Sequence, residues 1–70
     1  MGTPKTMRDK MDVITNMFKD KRLINREEMF EKMEKCGLSN EETGDVIRKL
    51  MKEGKIIEYG MGVYKVIRNI

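Results

Sequence analysis

A chain of 70 residues, 39% charged and 39% hydrophobic, has room for one domain around one modest core, near the lower size for folding without a staple. Its single cysteine, Cys36, forms no internal disulfide, and the absence of histidine excludes zinc constellations and histidine-dependent triads. A net charge of +3 permits nucleic-acid binding without demanding it, and no apolar run is long enough to span a bilayer.

The first segment places Met7, Met11, Ile14 and Phe18 at helical spacing, one stripe of an amphipathic helix with Arg8, Asp12, Asn16, Lys19 and Asp20 toward solvent. Thr3-Pro4 offers a start, and Lys21-Arg22 suits the negative end of the helix dipole. Leu23-Ile24 is too short for a helix and fits a two-residue strand. Asn25-Arg26-Glu27-Glu28 then has the form of a capping box. It opens a second helix with Met29, Phe30, Met33 and Cys36 inward, ended by Gly37.

Ser39-Asn40-Glu41-Glu42 is a second, stronger capping box. It starts a third helix with Thr43, Val46, Ile47, Leu50 and Met51 inward, stopped by Gly54. Two capped helices separated by Gly37-Leu38 make a tight helix-turn-helix. After Gly54 the composition turns β-branched and aromatic. Residues 55–59 and 63–67 read as strands, joined by Gly60-Met61-Gly62 as a short hairpin turn. The predicted fold is mainly α with a small hairpin: a winged helix-turn-helix of three helices and a two- or three-stranded wing, filling one domain over residues 1–70.

The basic surplus lies at the two ends of the chain. Residues 1–22 set six bases against Asp9, Asp12 and Asp20, whereas Lys55, Lys65 and Arg68 face Glu58 alone after residue 53. The exposed face of the third helix would carry Glu41 and Asp45 first, then Arg48, Lys49 and Lys52. These bases are candidates for phosphate or base-edge contact. The alternative is dipole compensation with an Asp45–Lys49 pair, and it is favoured because the acids would meet phosphates at the leading end.

The wing tip has no base, so minor-groove contact through it is poorly supported. Lys55, Lys65 and Arg68 lie near the strand bases, where they would reach backbone; a lysine on an edge strand also discourages strand pairing, which would account for Lys65. Most of the eight methionines fall on core stripes as soft filler. Met61 is the exception, and beside Tyr59 it suits a protein contact. Tyr64 is expected to pack on a helix.

No phosphate-binding loop is present, since Gly54-Lys55 is followed by two isoleucines. The glutamates of the second helix form a solvated face, and Cys36 sits on an apolar stripe. Catalysis, a metal site and a cofactor site in this chain are therefore not expected. Nothing at Met1–Thr6 has the form of a signal peptide, so the chain reads as soluble and intracellular.

Three stretches resemble the C-terminal winged-helix domain of archaeal minichromosome maintenance (MCM) replicative helicases. They are Pro4-Lys5-Thr6-Met7-Arg8-Asp9-Lys10-Met11; Asn25-Arg26-Glu27-Glu28 through Gly37-Leu38-Ser39; and Leu50 through Tyr64, with Gly54-Lys55-Ile56-Ile57-Glu58 and Gly62-Val63-Tyr64. Winged helices of archaeal transcription regulators share the pattern at Leu50, Gly54 and Ile56. The resemblance implies a fragment of a larger protein whose motor, with its ATP and magnesium, lies upstream. It implies a module that modulates ATPase and unwinding through the rest of the helicase and replication or loading proteins. Weak non-specific DNA contact, a monomeric fragment and a cytoplasmic, nucleoid-associated location follow, with no membrane partner. Candidate contact residues are Arg48, Lys49, Lys52, Lys55, Tyr59, Met61 and Lys65. Two rivals remain: a free-standing, dimeric DNA-binding transcription regulator, and a purely structural winged helix.

Overall fold

The computed structural model describes residues 3–19 and 21–67. Asp20 and Arg68, assigned above to solvent and to a strand base, lie outside the described residues, as does Met1. Six elements follow in chain order: α1 (Met7–Met17), β1 (Leu23–Asn25), α2 (Arg26–Lys35), α3 (Asn40–Lys52), β2 (Ile56–Glu58) and β3 (Val63–Val66). The three strands form one antiparallel sheet in the order β1-β3-β2. Three helices with this sheet are a winged helix.

The helix starts show how similar motifs diverge. α1 begins at Thr6, not at Thr3-Pro4, because the Thr6 hydroxyl accepts from the Asp9 N–H at 3.0 Å. The Ser39 box on α3 is complete. The Glu42 N–H donates to Ser39 Oγ at 3.1 Å, and the Ser39 N–H donates to Glu42 Oε1 at 3.2 Å. Asn25 caps α2 by position but makes no side-chain hydrogen bond. Glu28 is instead drawn to Lys21 at 2.9 Å.

That pair also corrects the expected place of Lys21-Arg22. α1 ends at Met17 with no base in its last turn, and Lys21 serves the start of α2. Ser39→Ala is therefore expected to lower the unfolding free energy by about 1 kcal/mol, and Asn25→Ala by no more than a few tenths. Urea denaturation of the two variants checks this.

Both helices of the helix-turn-helix end the same way. The Gly37 and Leu38 N–H groups donate to the Glu34 and Met33 carbonyls at 2.9 and 3.0 Å; Gly54 and Lys55 do so to Met51 and Leu50 at 3.1 and 2.9 Å. This double bond pattern needs a left-handed residue at its centre, and Gly37 and Gly54 have φ of 89° and 74°. It also swings Leu38 back onto Met33, which buries Leu38 in the core although the sequence placed it in a turn.

The core lies between the helices and the inner face of the sheet. Met11, Ile14 and Phe18, Met29 and Met33, Val46, Ile47 and Leu50 meet Ile24, Ile56 and Tyr64 from the three strands. Thr43 is buried with its hydroxyl donating to the Ser39 carbonyl at 2.9 Å. Met7 and Met51, both predicted inward, are exposed. Met7 sits at the open end of α1 in a groove beside Lys49, Glu53 and Lys55. Met51 lies at the margin of the α3 stripe and is only partly covered. Cys36 is half-buried and lines a groove of about 650 Å³ with Thr3, Pro4 and Val13.

The hairpin has the expected three-residue loop, with the Tyr59 N–H donating to the Val63 carbonyl at 2.7 Å. β1 adds on the other side of β3 in the register Leu23↔Lys65, Ile24↔Tyr64, Asn25↔Val63. The Arg26 N–H extends the ladder to the Gly62 carbonyl at 2.7 Å. β3 is thus the central strand, so an edge-strand role for Lys65 does not hold.

Candidate functional site

The seven candidate residues fall into two groups. Arg48, Lys49 and Lys52 occupy the exposed face of the second half of α3, followed by Lys55 in the turn after it. Tyr59, Met61 and Lys65 belong to the wing.

On α3 most of the positive charge is met locally. Arg48 pairs with Asp45 at 3.6 Å, and Glu53 receives Lys49 at 3.6 Å and Lys55 at 3.3 Å. The expected Asp45–Lys49 pair is not formed, because Arg48 one turn on reaches Asp45 and Lys49 turns toward the C-terminal Glu53. Lys52 has no ion-pair partner among the described residues. Glu41 and Asp45 stay exposed toward the leading end.

Glu42, also in the first turn, is held below the usual carboxylate range. The chief cause is the Ser39 backbone N–H, followed by the Lys10 ammonium. Lys10 reaches it from α1 at 3.2 Å and ties the two helices together. Glu42 is thus compensated within the domain, and the exposed acids that a reading helix would bring against phosphates are Glu41 and Asp45.

Gly54-Lys55, the one glycine-lysine step in the chain, does not fit a phosphate cradle. Its two N–H groups are spent on the α3 carbonyls, and it follows a helix instead of preceding one.

The wing is different in kind. Met61 at its tip is 96% exposed and Tyr59 is 58% exposed, while Tyr64 is buried, as its expected packing on a helix requires. The Lys65 ammonium lies over the Tyr59 ring, 5.7 Å from its centroid, within cation–π range. Leu23, Ile57 and Ile67 are also exposed, and none of them is among the seven candidates. The usable signals were the adjacent apolar pairs Leu23-Ile24, Ile56-Ile57 and Val66-Ile67: a strand with apolar residues at consecutive positions shows apolar side chains on both faces.

No helix among the described residues is long and apolar enough to cross a membrane. The family described as the MCM protein C-terminal winged helix-turn-helix domain matches residues 5–67. Two uncharacterized MCM-type proteins of Methanocaldococcus jannaschii are similar to the chain. One is 35% identical over 94% of the chain and the other 39% identical over 79%. The matched regions are 10% and 8% of those proteins, so the chain spans about a tenth of their length. No solved structure matches significantly. With residues 5–67 matched by the family and 94% and 79% of its length matched by the two relatives, the chain belongs to the MCM C-terminal winged-helix domains.

Proposed function

We propose that this chain is a non-catalytic appendage at the C-terminal end of an MCM-type DNA replication helicase. It modulates ATPase and unwinding activity through protein contacts, and its DNA contacts are weak, electrostatic and non-specific. ATP and magnesium belong to the motor elsewhere in the parent protein, and the domain acts where that motor works, on cytoplasmic, nucleoid DNA. Contacts of the second kind would run through Lys52, with Arg48, Lys49 and Lys55 contributing once their carboxylate partners are displaced. Tyr59, Met61 and Lys65 would serve protein contacts.

The observation that carries this reading is the neutralised face of α3. Asp45 and Glu53 between them engage three of its four candidate bases, and the end that would enter a groove is acidic. A sequence-specific reader needs free donors there. Comparison of the parent protein with and without residues 5–67 tests it. The expected result is a severalfold change in ATPase or unwinding rate, with the motor still active. Unchanged rates on every DNA substrate would contradict a modulating role.

A further inference from the structure

The outer face of the sheet combines exposed apolar side chains with a charge that no carboxylate among the described residues neutralises. Lys65 stands on the central strand with Leu23 directly across on one side and Ile57 on the other. Directly opposed residues of antiparallel strands project from the same face, so the ammonium rises from between two aliphatic side chains. Tyr59 and Ile67 extend the apolar surface, and all four are exposed. Among the described residues no carboxylate lies within ion-pair range of Lys65; its one close companion is the Tyr59 ring.

A partner that covers Leu23 and Ile57 must also take Lys65 out of water. Burying an ammonium without a counter-charge is strongly unfavourable, so the occupant has to bring an anion to that point. A nucleic-acid phosphate would meet Lys65 but leave the aliphatic groups against a hydrated backbone. A carboxylate flanked by apolar side chains meets both demands. We propose that this sheet face docks an acidic amphipathic segment of a partner protein, with a Glu or Asp on Lys65 and apolar side chains on Leu23, Ile57 and Tyr59. This deepens the appendage reading above and rests on it only for the choice of protein over DNA as the principal partner.

The test is an NMR titration of the isotope-labelled chain with short synthetic peptides alternating Leu and Glu, Leu and Gln, or Leu and Lys, and with an oligo-dT strand. The Leu-Glu peptide is expected to shift the amides of Leu23, Ile57 and Lys65, and to bind about tenfold or more tighter than the Leu-Gln peptide. Lys65→Gln is expected to erase that preference, and Ile57→Ser to weaken the Leu-Glu peptide without changing the preference. Both positions are exposed, so the variants keep the fold; the wild-type comparison of Leu-Glu with Leu-Gln stands independently of them. Equal binding of all three peptides, shifts elsewhere on the surface, or no shifts would overturn the proposal. Stronger shifts at this face from oligo-dT would assign it to nucleic acid instead. If the peptides fail while deletion of residues 5–67 still alters the motor, the surface assignment falls and the appendage reading stands. If the deletion has no effect while the peptides bind as expected, the reverse holds.

Discussion

Leu50→Ala is expected to remove about 3 kcal/mol of unfolding free energy, a large share of what a domain of this size holds. Leu50 is fully buried on α3, which packs on α1, α2 and β2. Its loss opens a cavity that three separate elements would have to move to fill. A chain this short holds only about 4–10 kcal/mol in total, at ~0.05–0.15 kcal/mol per residue. The neighbouring truncation Met51→Ala is expected to stay within about 0.5 kcal/mol, because Met51 is exposed. Urea unfolding with an unchanged m-value separates the two. Similar losses at both sites would mean that α3 is rotated from the orientation described here.

The second large effect is in β1. Ile24→Ala is expected to cost about 3 kcal/mol, whereas Leu23→Ala stays within about 0.5 kcal/mol. The two residues are adjacent, but Ile24 is 1% exposed opposite Tyr64 on the core side, and Leu23 is 46% exposed on the other face. Alternation along a strand separates them. The same Leu23 variant is expected to lose affinity for the Leu-Glu peptide while its thermal midpoint barely moves. A large stability loss at Leu23 would show that the outer face is covered within the domain itself.

These contrasts also mark what the sequence could reveal. The order of elements, the Ser39 box and the hairpin turn follow from local rules of spacing and backbone geometry, and each was legible. Met51 was misassigned because a helical stripe has margins. At about 100° per residue it lies roughly 70° from the stripe's centre, and only the neighbouring element decides how wide an arc is covered. Met7 lies well within its stripe, yet in the first turn of α1 it faces an open groove beside Lys49, Glu53 and Lys55 and stays exposed.

Asn25 and Ser39 carry equivalent motifs. They differ in that the Asn25 side chain makes no capping hydrogen bond and Glu28 pairs with Lys21, four residues upstream of Asn25. The pairing of charges on α3 was legible only in outline: Asp45 had two bases within helical reach, and rotamer geometry gave it to Arg48. The place of Lys65 at the centre of the sheet required knowing that β1 joins β3 and not β2, a long-range pairing that no local rule supplies. The outer sheet face was legible in part, from the adjacent apolar pairs in each strand, but which of these residues share a face with Lys65 again depends on that pairing.

A domain with this α3 face is expected not to read DNA sequence. Titration of labelled duplex DNA at low and physiological salt tests it most directly. Binding is expected to be indifferent to sequence, with a log–log salt slope no steeper than about −4, and weaker than about 10⁻⁴ M at physiological salt. Tight, sequence-dependent binding that survives physiological salt would contradict it.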